Sequence, residues 1–268
     1  MNFFEIITPF LLASIGGLYT EYSGTTNVAL EGYITISAFI FITITKLTNS
    51  ILLGFCLTIG IILIISFIHS SLTIKLKANP IITGLAVNMG FYGLISALSY
   101  KIFKTKGVIS LDYPNIETMP IKILAILLPF ITLFIISKTR YGLRLRVRGL
   151  SKKSLIYSRI NADYYRLTAM MISAILSGLG GIFLGMELRS FIPNIGSGRG
   201  WISLVIIYLG RKNPIGILIG CGIFSVAQIF SNYSQNHNVP SEFILALPYF
   251  LTLIALIISM RKKTINNR

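Results

Sequence analysis

Asn27 and Glu31 stand four residues apart, a spacing that puts both side chains on one face of a helix. Asn88 lies in another apolar run, one turn after Gly84, and Gln228 in a third. Amides and a carboxylate in such surroundings have two uses. They can line a path for a hydrophilic solute, or they can make interhelical hydrogen bonds and satisfy helix ends. Both readings are open for all four. Enzyme chemistry finds little to work with. The 8 acids are scattered and form no paired-carboxylate site. His69 and His237 are isolated, as expected of surface or interfacial residues rather than ligands. Cys56 and Cys221 lie in apolar stretches and read as buried thiols with no disulfide and no metal role. The chain has no H-E-x-x-H, C-x-x-C or G-x-S-x-G pattern, and no G-x-x-x-x-G-K-[ST] loop with which to hydrolyse ATP. Gly198-Arg199-Gly200 is too short to count as a nucleotide motif.

The elements that carry these residues belong in a bilayer. Of 268 residues, 54% are hydrophobic and only 12% charged, against roughly 25% charged in a soluble domain. That balance excludes a cytosolic enzyme, a secreted disulfide scaffold and a disordered tail. A helical span needs about 20 apolar residues to cross about 30 Å of hydrocarbon. Apolar runs stand at 3–19, 28–45, 51–74, 81–100, 121–137, 167–188, 196–210, 214–230 and 243–260. They predict an all-α fold, a polytopic transmembrane helix bundle of about nine spans (8–10) forming one domain over 1–268. The run 196–210 could instead be a re-entrant half-helix. Met1 to Leu18 holds no Lys or Arg, so the first run is expected to stay as a membrane helix rather than act as a cleaved signal.

The 24 Lys and Arg against 8 Asp and Glu give a formal charge of +16. In a soluble protein that would suggest nucleic acid; in a membrane protein it means basic loops kept on the cytoplasmic side. Residues 138–166 carry Lys138, Arg140, Arg144, Arg146, Arg148, Lys152, Lys153, Arg159 and Arg166 against Asp163 alone. This loop and the tail from Arg261 are therefore expected to be cytoplasmic, as are Lys75 and Lys77, which puts the N-terminus outside and the C-terminus inside. Lys101, Lys104 and Lys106 then lie on the outer side, partly offset by Asp112 and Glu117. Glu5, Glu187 and Glu242 fall at outer ends, and Glu21 and Glu31 flank an inner connection, so acids avoid the span centres. That argues against ion-coupled transport and points to energy from a separate ATPase. Ala169, Ser173, Ser177, Gly181 and Gly185 repeat at four-residue spacing, a small-residue stripe for close helix packing or for lining a conduit.

Seven segments in order carry a resemblance. They are Gly17-Leu18-Tyr19-Thr20-Glu21 with Gly24 and Asn27-Val28-Ala29-Leu30-Glu31-Gly32; Ala78 to Asn88; Thr139 to Arg146 leading into Gly149; Ser173 to Gly181; Gly198 to Leu204; Gly210 to Gly216; and Leu247-Pro248-Tyr249. Together they resemble the membrane permease subunits of ABC importers for branched-chain amino acids, ribose and nucleosides, closest to the nucleoside and simple-sugar group. The resemblance implies a subunit of the bacterial cytoplasmic (inner) membrane that is not itself an enzyme and holds no cofactor. ATP and magnesium would sit on a partner ABC ATPase. A second permease would complete the pore, and an extracytoplasmic substrate-binding lipoprotein would deliver a nucleoside. The chain's short length favours a heterodimer.

The resemblance also implies a cytoplasmic coupling helix, carried here to residues 149–162 within the loop at about 138–166. Gly149, Leu155, Ile156, Arg159, Ile160 and Asn161 are its candidate residues, with Leu155, Ile156 and Ile160 as an apolar strip for the ATPase. A basic helix lying on anionic lipid is the competing reading. The segment departs from the family in placing Arg159 where Gly usually precedes the Ile-Asn pair, and in Ser151-Lys152-Lys153. Asn27, Glu31 and Asn88 are the candidates for the solute path. A simple-sugar (ribose-like) or branched-chain amino acid permease of the same architecture, or a stand-alone facilitator, are the alternatives.

Overall fold

The computed structural model describes residues 2–111 and 116–234. Helices α1 (Phe3–Tyr22), α2 (Leu30–Thr48), α3 (Ile51–Ile74), α4 (Pro80–Phe103) and α5 (Met119–Lys138) lead to two short ones, α6 (Arg140–Leu150) and α7 (Lys152–Tyr157). Then come α8 (Ala162–Leu188), α9 (Arg199–Leu209) and α10 (Pro214–Ser234). A two-residue ribbon, β1 (Ile109–Ser110) with β2 (Ser190–Phe191), is antiparallel, pairing Ile109 with Phe191. Local chemistry sets several starts. Asn79 caps α4 by accepting from the Ile81 N–H at 2.9 Å, with Pro80 in the first turn, where its missing N–H costs nothing. Asn161 caps α8, accepting from Asp163 and Tyr164.

Among the described residues, seven helices are long and apolar enough to cross a membrane: α1 to α5, α8 and α10. The expected span 243–260, the basic tail, His237, Glu242, Leu247-Pro248-Tyr249 and Asp112 lie outside the described residues.

Helices α1, α2 and α8 form the centre. Helix α8 runs antiparallel to α1, with Gly16 against Ser173 and Pro9 against Gly180, and parallel to α2, with Gly181 against Ile34 and Gly185 against Phe41 and Ile42. The small-residue stripe is buried, and Ser173, Gly181 and Gly185 lie in these two close contacts. Helices α3 and α5 turn large apolar side chains outward, among them Leu52, Ile64, Ile68, Phe130 and Phe134. Such a surface suits hydrocarbon, not water.

Two expectations fail on burial. Cys56 is exposed on the outer surface of α3, whereas Cys221 is buried. His69 is buried, its Nδ1 3.1 Å from the Tyr33 hydroxyl. A helix that is apolar all round carries no period to show which side faces the protein.

The bundle has two ends. At one, Lys122 pairs with Glu5 of α1 and Glu187 of α8, and the ribbon closes over the helix ends. The other end is basic and gathers Lys75, Lys77, α6, α7 and Lys212. Between Glu187 and Lys212 the chain passes from the first end to the second. Only 11 of those residues form α9, about 16 Å of helix, and residues 193–198 leading into it are a run of turns. The expected span 196–210 is thus a half-helix entered by a non-helical segment.

Candidate functional site, a junction of two interrupted spans

The connection between α1 and α2 does not lie flat on the basic end. Asn27 donates to the Ser173 hydroxyl at 2.9 Å. Ser173 is 11 residues into α8, about 16 Å along its axis. Residues 23–29 therefore climb into the bundle, and α2 begins inside it. The expectation that Glu31 flanks an inner connection is corrected here: it sits at the level of the middle of α8.

Helix α9 begins at the same level. The Gly198 and Gly200 N–H groups donate to the Glu31 carboxylate at 3.0 and 2.6 Å. A half-helix starting inside a membrane has unsatisfied N–H groups and a positive dipole end with no water to meet them. Glu31 supplies both acceptor and charge, from a residue 169 positions away from Gly200 in sequence. A Cβ on Gly200 would collide with the Glu31 backbone, so glycine permits the approach. Arg199 donates back to the carbonyls of Ile195 and Gly196.

The three path candidates meet at this junction. Asn88 accepts from the Gly32 N–H at 2.8 Å and donates to the Val28 carbonyl at 3.0 Å. Asn27 also accepts from the Ala29 N–H at 3.0 Å. Each satisfies backbone groups that the broken helix leaves open, and each is buried. Gln228 lies elsewhere, donating to Asn232 on α10. Beside the junction is a cavity of about 70 Å³ lined by Thr35, Tyr92, Ile95, Ser96, Ser99, Lys106, Phe191 and Pro193. Sequence reasoning missed Thr35, Tyr92 and Phe191 because rings and hydroxyls are common in apolar spans.

At the basic end α9 is fastened again. Tyr208 donates to Glu21 at 2.9 Å, the Lys212 ammonium pairs with Glu21 at 2.7 Å, and the Tyr22 hydroxyl donates to the Lys212 carbonyl at 2.5 Å. Burial alone pulls the Lys212 pKa down, but the bond and charge of Glu21 outweigh it and leave the ammonium above the ordinary lysine value.

The loop that follows α5 folds as α6 and α7. Leu155 is 3% exposed and belongs to the core, Ile160 is half-buried against it, and Ile156 is 55% exposed. The expected strip of Leu155, Ile156 and Ile160 is therefore split, and the outward apolar face is Leu150, Ile156 and Tyr157. Arg159 has φ +56°, the left-handed region that favours glycine. The Ile160 N–H reaches the Leu155 carbonyl and the Arg159 N–H that of Ile156, both at 2.9 Å. This is the C-terminal cap in which glycine usually occupies the Arg159 position. Gly149 faces inward against Tyr22 and Gly24.

The model of the family described as branched-chain amino acid transport system / permease component matches residues 1–260. The nucleoside ABC transporter permease protein NupC of Lactococcus lactis is 28% identical, over 95% of this chain and 90% of that protein. The guanosine ABC transporter permease protein NupQ of Bacillus subtilis is 30% identical, over 92% of this chain and 87% of its own. The nucleoside ABC transporter permease protein NupB of L. lactis is 30% identical over 46% of this chain and 34% of that protein. No solved structure matches. With a family match over residues 1–260 and several apolar membrane helices, the chain belongs to this permease family and is a multi-pass inner-membrane protein.

Proposed function

We propose that the chain is the membrane-spanning subunit of an ATP-driven importer and carries a nucleoside inward. The observation that carries this reading is the likeness to two nucleoside permeases across nine-tenths of the chain. Hydrolysis is assigned to a separate ATPase, with its ATP and magnesium, and solute delivery to an extracytoplasmic binding lipoprotein. The second permease is a different chain; L. lactis itself has both NupB and NupC. The chain crosses nine times, counting 189–209 as one interrupted crossing and 243–260 as the last. The basic end is cytoplasmic, by the excess of Lys and Arg there, so the N-terminus is outside and the C-terminus inside.

In this reading the ATPase docks on Leu150, Ile156 and Tyr157 of the 138–166 loop. Asn27, Glu31 and Asn88 serve the solute path by holding its walls rather than by touching solute. The solute meets the junction from the cavity lined by Thr35, Tyr92, Ser96 and Phe191. Rings there offer a face to a nucleobase and hydroxyls offer partners to a ribose. In this reading α4 and residues 192–198 separate to let the solute pass. Purification of the tagged protein from its native membrane in mild detergent tests the assignment. An ATPase and a second permease are expected to co-purify. Recovery of the intact chain alone would favour a stand-alone facilitator.

A further inference from the structure

The ATPase-facing loop touches the junction's connector directly. Helix α1 ends with the Thr25 N–H on the Thr20 carbonyl at 3.0 Å and the Gly24 N–H on the Glu21 carbonyl at 3.1 Å. Gly24 takes φ +74°, as that cap requires. The end of α6 lies against this turn with no side chain between the two backbones. A Cβ on Gly24 would stand 3.0 Å from the Gly149 Cα, and one on Gly149 would run into the Tyr22 carbonyl. Arg148 is buried and donates to the Ser23 carbonyl at 3.0 Å. Residues 22–24 are thus held by the loop on one side. On the other, Glu21 and Tyr22 hold Tyr208 and Lys212.

Five residues after Gly24 the connector reaches Ala29, and Glu31 follows with the N-terminus of α9 attached. Helix α9 therefore bridges the connector: its N-terminal end is fixed to Glu31 beyond it and its C-terminal end to Glu21 before it. Close-packed backbone transmits displacement because it has no slack to absorb it.

We infer that Arg148, Gly149 and Gly24 form the linkage through which movement of the ATPase-facing loop displaces the connector and α9 together. The inference rests on the reading that this loop docks an ATPase, and the test separates the two. The assembled transporter, reconstituted in liposomes with its ATPase, second permease and binding protein, is assayed for tritiated guanosine carried per ATP hydrolysed. In Arg148→Ala the ATPase is expected to co-purify as before, while the ratio falls by about tenfold, the scale of one lost charge-assisted hydrogen bond. Arg148→Lys keeps one donor and is expected to recover part of the ratio. Gly149→Ala forces the two backbones apart and is expected to lower the ratio at least as far; if that variant does not fold, the arginine pair decides. An unchanged ratio in Arg148→Ala, or loss of the ATPase from it, would overturn the linkage. The docking reading is tested by Ile156→Asp, which is expected to lose the ATPase itself; its retention would overturn docking while leaving the ratio in the Arg148 variants to be read on its own.

Discussion

Replacing Glu31 by Gln removes the charge from the start of α9 and changes little else in volume. The carboxylate accepts from Gly198 at 3.0 Å and Gly200 at 2.6 Å, one oxygen to each. A glutamine amide has one oxygen, so one of the two N–H groups would face an NH₂ donor. A hydrogen bond to a charged group contributes roughly 1.5–3 kcal/mol, and a buried donor left unsatisfied costs roughly 1–3 kcal/mol. The dipole term at a partly buried helix end adds up to about 2 kcal/mol. These terms overlap, and about 2–4 kcal/mol is the expected loss. Thermal unfolding of the purified chain in one detergent should show a clear drop in midpoint for Glu31→Gln. Glu31→Asp, too short to reach both groups, should fall between. The cavity-lining variant Ser96→Ala should remain near the parent. A Glu31→Gln midpoint equal to the parent would refute the capping of α9 by this carboxylate.

Three further outcomes follow from the same geometry. Arg159→Gly relieves a left-handed residue and should stabilise the end of α7 by about 1 kcal/mol; amide exchange across residues 152–160 should then slow about fivefold, since about 1.4 kcal/mol is tenfold. Leu155→Asp places a charge where the side chain is 3% exposed and should make the loop sensitive to proteinase K, whereas Ile156→Asp should leave cleavage unchanged; equal cleavage would contradict the split between their faces. Gly181→Leu drives a side chain into the Ile34 carbonyl and Ser37 of α2 and should cut the yield of folded protein severalfold, overpacking of a close contact costing roughly 1–3 kcal/mol or more; a normal yield with lost transport would restore the conduit reading of the stripe.

Much of this was legible in the residues. Hydropathy marks most spans, because hydrocarbon thickness sets their length. The i, i+4 stripe on α8 announces a close contact. Asn27, Glu31 and Asn88 stood out as polar groups in apolar runs, and they do come together. Their depth was not legible. Nothing near Gly198 says that its helix begins inside the bundle, because the group that satisfies it is Glu31, far away in sequence. The apolar run 196–210 reads equally as a span or as a half-helix, because hydropathy does not register a turn-rich segment. Leu155 and Ile156 are adjacent and equally apolar, and only the packing of α7 decides which turns inward. Arg159 is the reverse case, a departure from the family pattern whose cost becomes clear from one dihedral angle.

We propose that this chain carries nucleosides by coupling to ATP hydrolysis on another subunit. The most direct measurement is tritiated guanosine uptake into liposomes holding the chain with its co-purified partners, with and without ATP on the side of the basic end. Accumulation above the external concentration is expected, requiring ATP and stopping when the ATPase is omitted. Equilibration of guanosine without ATP, or ATP-driven uptake of ribose with none of guanosine, would contradict it.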